Sequence, residues 1–256
     1  MKVVHSAQEL PSGCAFVPTM GALHAGHGSL FTLASKSSDA VVASIFINPL
    51  QFENPEDLLK YPKTPDADIE LAKSFGVTHL WFPTQDEIYP KGYESQKAGA
   101  IGDLFEGASR PGHFDGVVTV VNRLFQLVKP ASAVFGEKDF QQLKLVEAIA
   151  GDVMIIRGPI VREADGLAMS SRNVRLSPEG RAAAPIIFKA LSKAKSESEL
   201  QESLKSEALF ELDYATFIDE ESFLPAGNES KNVRAIVAGW INGVRLLDNM
   251  QMEIRA

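Results

Sequence analysis

The sequence predicts an α/β protein: a doubly wound parallel sheet followed by a second, smaller α+β domain. Three observations carry this. Short apolar runs rich in β-branched residues recur through the first part of the chain, helical patterns stand between them, and the texture changes near Gly158 to Val161. Parallel neighbours need long crossover connections, so strands alternating with helices read as one parallel sheet.

Each element has its own warrant. Strands are expected at 15–17, 40–47, 79–82, 133–135 and 153–156, each short, apolar and bounded by Gly, Pro or polar residues, as strands buried on both faces are. Thr64-Pro65-Asp66, followed by Asp68, Ile69, Leu71 and Ala72, predicts a helix with an N-cap Thr, Pro at the first helical position and acids in the first turn, ended by Gly76. Val117, Val118, Val121, Leu124, Phe125 and Val128 keep a helical period until Pro130, and 140–150 gives another amphipathic helix. Beyond the boundary, 178–209 is rich in Ala, Lys, Ser and Glu at helical spacing, and 212–218, 233–239 and 244–247 read as strands.

Composition narrows the function. The 256 residues are 45% hydrophobic, ample for a core, which excludes disorder as the default state. The single cysteine, Cys14, makes neither an intramolecular disulfide nor a Cys-based metal site and fits a reducing compartment. Met1-Lys2-Val3-Val4-His5 turns polar too soon for a signal-peptide apolar region, and no later run approaches the roughly 18 apolar residues that span a bilayer. A cytoplasmic protein with no membrane partner is expected. With 25 Lys plus Arg against 33 Asp plus Glu, the net charge is −8, and the isoelectric point lies near 5.2, so a broad electrostatic footprint for nucleic acid is excluded. An anionic ligand must be held locally.

Three segments carry chemistry. Pro18-Thr19-Met20-Gly21-Ala22-Leu23-His24-Ala25-Gly26-His27-Gly28 follows the first expected strand and leads into a helix, the place where open α/β sheets bind phosphate. It matches neither the P-loop nor the Gly-x-Gly-x-x-Gly pattern. His24 and His27, three residues apart on a first helical turn, project to one side beside unpaired N–H groups. A zinc site has no third ligand of matching spacing. Gly136-Glu137-Lys138-Asp139 ends the fourth expected strand, so Lys138 falls on the same rim of the sheet as a mobile positive charge. Arg162 to Asn173, at the domain junction, is a polar loop with hydroxyls and an arginine.

These segments, with Asn48-Pro49-Leu50-Gln51-Phe52, Tyr61-Pro62 and Arg110-Pro111-Gly112-His113-Phe114, resemble in order the signatures of the pantoate:β-alanine ligase family, strongly over 14–177. His24-Ala25-Gly26-His27 looks like the family's His-x-Gly-His motif, shared with class I aminoacyl-tRNA synthetases and nucleotidylyltransferases. The resemblance implies a Rossmann-like catalytic domain over 1–160 that binds ATP and pantoate, and a C-terminal lid domain over 161–256. It implies a two-step reaction: ATP and (R)-pantoate give pantoyl adenylate and diphosphate, and β-alanine displaces AMP. Met20, Gly21, Ala22, Leu23, His24, Ala25, Gly26 and His27 would line the ATP site, completed by Gly136, Glu137, Lys138, Asp139, Val161, Met169, Ser170, Ser171 and Arg172. Gln51 and Gln142 would hold pantoate, with Asn48 and Arg110 near it. His24, His27, Lys138, Ser170 and Arg172 would stabilise charge growing on the α-phosphate and on departing diphosphate. Mg²⁺ would be bound mainly through ATP phosphates, since no carboxylate cage is evident and Asp68 and Asp139 are only outer candidates. A homodimer is also implied.

Departures are few. Gly28 stands where the family suggests an apolar residue such as Leu, which would loosen the helix start by ~1 kcal/mol. Lys63 and Arg175 also differ, and the C-terminal domain reads as short. Two other functions share the same residues. A nucleotidylyltransferase acting on a phosphorylated small molecule would want further basic residues where Asn48, Gln51 and Gln142 stand, and a non-catalytic nucleotide sensor needs the same phosphate cradle.

Overall fold

A computed structural model describes residues 1–53 and 55–253. The chain divides into two compact units, Met1–Pro159 and Ile160–Ala256. Among the described residues no helix is long and apolar enough to cross a membrane.

The first unit is built on six strands: β1 (Lys2–Val4), β2 (Ala15–Thr19), β3 (Val41–Ile45), β4 (His79–Trp81), β5 (Ser132–Gly136) and β6 (Met154–Gly158). All pairings are parallel, in the order β1-β4-β3-β2-β5-β6. The five expected strands are present, with ends displaced by at most two residues. β3 is shorter than expected because the chain leaves the sheet before the Asn48-Pro49 turn. β1 was not expected: three residues at an edge, two of them exposed, carry too little hydrophobic pattern to signal a strand.

The order fixes where a ligand goes. From β2 the chain steps outward to β3 and β4, then returns to place β5 on the other side of β2. The crevice at the carboxyl ends of β2 and β5 is therefore the topological switch point, the usual ligand position in such sheets. One face is covered by helix Ala25–Ser37, whose Phe31 and Ala34 pack with Ala15, Val17, Val41, Ala43, Leu80 and Val134. Side chains alternate along β5, so Phe135 faces the other layer, where Phe125 of helix His113–Val128 meets it edge-on at 6.4 Å between ring centroids.

Helix Pro65–Ser74 starts at the expected proline, and Gly76, at φ +83°, follows its end. Thr64 differs from expectation: its hydroxyl donates to Asp68 Oδ1 instead of accepting a helix N–H. Helix His113–Val128 closes on left-handed Lys129, just before Pro130, and helix Phe140–Ile149 follows β5.

In the second unit, the helical tract 178–209 is three helices: Pro178–Ala183, Ile186–Lys193 and Glu197–Lys205. Pro185 interrupts the first pair, since it brings no N–H to a helical ladder, and the Ser196 side chain caps the third by accepting from Glu199 N–H. Antiparallel β7 (Glu211–Asp219), β8 (Val233–Ile241) and β9 (Val244–Met252) follow. β8 and β9 are longer than expected and join through Asn242-Gly243, both at positive φ, a two-residue hairpin turn. Ile187, Leu191, Leu200 and Leu204 pack with Ala215, Ala235, Val237 and Leu246 as the core of this unit.

Candidate active site

The turn leaving β2 sits at the switch point and is held by one buried carboxylate. Asp68 accepts from the N–H groups of Ala22 (3.1 Å) and Leu23 (2.7 Å) and from the Thr64 hydroxyl (3.1 Å). Thr19 Oγ1 accepts from Gly21 N–H and donates to the Ser44 carbonyl. Gly21 is required twice over. Its φ is +84°, and a Cβ there would lie 3.0 Å from Asp68 Oδ2 and 3.1 Å from Ile45 Cγ2. Asp68 is therefore the acceptor that fixes the turn. No local pattern could reveal this, because the two N–H donors of the turn and the carboxylate are more than forty positions apart in sequence.

The turn delivers His24 and His27 to the start of helix Ala25–Ser37. His24 is the N-cap, its Nδ1 accepting from Gly26 N–H at 3.1 Å, and His27 Nδ1 accepts from His24 N–H at 3.2 Å. The two rings lie 4.2 Å apart between centroids. An imidazole whose Nδ1 accepts a backbone N–H carries its proton on Nε2 when neutral, so both residues present Nε2–H donors. Burial, followed by the neighbouring His24, pushes His27 down to about 3, so it is a neutral donor at physiological pH.

Lys138 and Asp139 follow β5 on the same rim, Nζ and Oδ1 being 3.4 Å apart. Both act electrostatically on His27. Gly28 does more than loosen the helix: a Cβ there would lie 2.6 Å from the Phe75 ring, so its absence admits that ring against the helix.

Amides gather on the side of the turn after β3. Asn48 Nδ2 donates to Gln51 Oε1 (3.1 Å) and to the Gly116 carbonyl (3.0 Å), and Gln51 Nε2 reaches Met20 Sδ at 3.1 Å. The structure thus brings Met20, Asn48 and Gln51 together. Arg110 donates to the Gln51 carbonyl (3.2 Å) and to Glu106 (3.2 Å), and its guanidinium lies 3.1 Å from His113 Nε2, while His113 Nδ1 lies 2.9 Å from the same Gln51 carbonyl. Arg110 and His113 therefore clamp this turn. Gln141 is buried, donating to the carbonyls of Ile101 and Leu104 and accepting from Glu106 N–H, whereas the adjacent Gln142 is half-buried and its side chain makes no hydrogen bond among the described residues.

Val161, Met169, Ser170, Ser171 and Arg172 belong to the second unit. There they lie on a braced hairpin: Met169 N–H donates to Val161 O, Arg162 makes a bidentate pair with Asp248 at 2.5 and 2.9 Å, and Asn173 donates to Ala168 O and Glu163. All five side chains are half-buried.

The family model for pantoate-beta-alanine ligase matches residues 1–251. The chain belongs to the pantoate-beta-alanine ligase family. It is 46% identical to the pantothenate synthetase of Chlorobium chlorochromatii, covering 93% of this chain and 89% of that one. It is 44% identical to the pantoate–beta-alanine ligase of Schizosaccharomyces pombe, over 94% and 91%. The crystal structure of pantothenate synthetase from Thermus thermophilus superposes with a TM-score of 0.91 at 42% identity, covering 98% of this chain and 99% of that one. The Francisella tularensis ligase, solved in complex with beta-gamma ATP and beta-alanine, matches with a TM-score of 0.84 at 34% identity, over 98% and 97%. Although the C-terminal domain reads as short, the ligase spans nearly the whole of these relatives. Family membership makes it an ATP-dependent ligase of pantothenate biosynthesis, joining pantoate to β-alanine.

Proposed function

We propose that this chain condenses (R)-pantoate with β-alanine through a pantoyl adenylate formed at the switch point of its first unit. The observation that carries the reading is the pairing of the His24 and His27 rings at the start of helix Ala25–Ser37, within electrostatic reach of Lys138 and Asp139 and after the Met20 turn, itself bonded to Gln51. In the first step a pantoate carboxylate oxygen attacks the α-phosphorus of ATP and diphosphate leaves. Nε2–H groups of His24 and His27, the Lys138 ammonium and the positive end of helix Ala25–Ser37 stabilise the charge that grows on phosphate oxygens. Loss of one such donor costs on the order of a hundred- to thousandfold in rate.

In the second step the β-alanine nitrogen attacks the acyl carbon, AMP leaves with the bridging oxygen, and the amine proton passes to solvent. His27 is unsuited to take that proton: its Nδ1 is engaged and its Nε2 already bears hydrogen. Gln51, Gln142 and Asn48 offer uncharged groups to pantoate, with Arg110 bracing the Gln51 turn. Met20 to His27 and Gly136 to Asp139 form the ATP side. Val161, Met169, Ser170, Ser171 and Arg172, in a second domain acting as a lid, add contacts to ATP, with Ser170 and Arg172 assisting charge stabilisation.

Among the described residues no group of three or more His, Cys, Asp or Glu is placed to hold a metal. Mg²⁺ would be carried mainly by the ATP phosphates, where it would neutralise charge. A homodimer and a cytoplasmic location complete the proposal on the strength of family membership.

AMP release from ATP and D-pantoate, measured with and without β-alanine, tests the reading. Turnover that requires β-alanine and yields pantothenate supports it; turnover indifferent to β-alanine contradicts it. An adenylylated product retained as such would identify a nucleotidylyltransferase, and a His27→Ala chain with unchanged ATP affinity and lost turnover would exclude a pure sensor.

A further inference from the structure

We infer that Tyr89 is a positioning residue for pantoate: through Asn48, its hydroxyl fixes which end of the Gln51 amide faces the substrate. The inference rests on the proposed pantoate role of Gln51 and adds a residue with no part in the reading above.

An amide side chain has two ends of similar shape and opposite hydrogen-bonding character, so a binding site that uses one must fix its orientation. Asn48 does this for Gln51. Its Nδ2 donates to Gln51 Oε1, which turns Gln51 Nε2 toward Met20 Sδ and leaves the donor end for an acceptor on the substrate. Asn48 must then be fixed in turn. Its Oδ1 accepts from Leu50 N–H (3.2 Å) and from Tyr89 O–H (2.7 Å), while Nδ2 also donates to the Gly116 carbonyl. The Tyr89 bond is the shortest of the set. Burial raises the Tyr89 phenol well above its ordinary range, so it keeps its proton and remains a donor.

Tyr89 is itself well anchored. It caps the short helix Gln85–Ile88, its ring lies 6.1 Å from Phe46 and 5.9 Å from Tyr93, and Arg123 donates to the carbonyls of Glu87 and Ile88 just before it. Arg123 and Gly116 share helix His113–Val128, so one helix holds both ends of the relay from Tyr89 through Asn48 to Gln51. Without the phenol O–H, Asn48 keeps the longer Leu50 N–H bond on Oδ1 and the Gly116 carbonyl on Nδ2, and loses the shortest bond that holds its amide. Its Nδ2 is then less firmly aimed at Gln51 Oε1, and the Gln51 donor end is less firmly presented to the substrate.

Steady-state kinetics on the full chain test this, with wild type, Tyr89→Phe, Gln51→Ala, the double variant and Asn48→Asp. Absence of pantoate-dependent AMP formation by wild type overturns the proposed function and this inference together. With that activity present, Tyr89→Phe is expected to raise the KM for pantoate about 3- to 10-fold, the loss of one oriented hydrogen bond. The KM values for ATP and β-alanine stay within about twofold, and Tyr89→Phe adds nothing in the Gln51→Ala background. Asn48→Asp, which keeps the acceptor for Tyr89 but loses the donor to Gln51, is expected to raise the pantoate KM selectively and to serve if Tyr89→Phe folds poorly. An unchanged pantoate KM, an equal rise for all three substrates, or additivity of Tyr89→Phe with Gln51→Ala would overturn the inference and leave the proposed function standing.

Discussion

The backbone N–H of His24 donates to Nδ1 of His27 at 3.2 Å, and this bond decides what the second histidine does. With Nδ1 engaged, His27 offers Nε2–H and acts as a neutral donor to phosphate. The motif works by fixed dipoles at a helix start, with little reorganisation as charge moves from the attacking carboxylate to diphosphate.

The same arrangement predicts a pH dependence of stability. His27 is held down to about 3 by burial and by His24, against ~6.5 for an unfolded histidine. The unfolded chain takes up this proton first as pH falls, so the contribution of neutral His27 is complete above pH ~6.5 and declines toward pH 3. Between pH 6.5 and 4.5 the loss is on the order of 2 kcal/mol, read as a falling denaturation midpoint. His27→Gln removes that part of the slope; a difference from wild type that is constant across this window contradicts the assignment.

Asp68 holds the turn that carries Met20 to His24. Asp68→Ala leaves Ala22 N–H and Leu23 N–H without an acceptor and is expected to destabilise the chain by about 3 kcal/mol. The KM for ATP should rise more than that for pantoate, because the phosphate side of the site loses its shape. Chemical denaturation and substrate titration check both outcomes.

Gly116 lets helix His113–Val128 touch the turn that carries Gln51. A Cβ there would overlap the Leu50 carbonyl, and backbone cannot rotate away as a side chain does. Gly116→Ala is expected to cost about 1 to 3 kcal/mol and to raise the KM for pantoate while that for ATP changes little.

Gly28 and Phe75 should show coupling. Gly28→Ala gains up to ~1 kcal/mol of helix propensity but drives a Cβ into the Phe75 ring. In a Phe75→Ala background the same substitution should stabilise more than it does in wild type. Equal effects in the two backgrounds, measured by denaturation, would contradict the close approach.

The sheet was legible because buried parallel strands are short apolar runs and because Pro65, Pro130 and Gly76 punctuate helices by local steric rules. The histidine pair and Lys138 were legible for a related reason: a short motif at a strand end has one place to go in such a sheet. Edge strand β1 was not legible because three residues, two exposed and one buried, are too few to show a period. Asp68, His113 and Tyr89 act on the turns 21–23 and 48–51 across long sequence separations, so no spacing rule marks them. Arg110 was found by resemblance, but its clamp on the Gln51 carbonyl is visible only in three dimensions.

The central claim is that pantoate is activated as an acyl adenylate before β-alanine attacks, and the route of one oxygen atom tests it most directly. Pantoate labelled with ¹⁸O in its carboxylate, turned over with ATP and β-alanine, should deliver one labelled oxygen to the phosphate of AMP and leave the other in the amide of pantothenate. AMP without label, with pantothenate formed at the normal rate, would contradict the account.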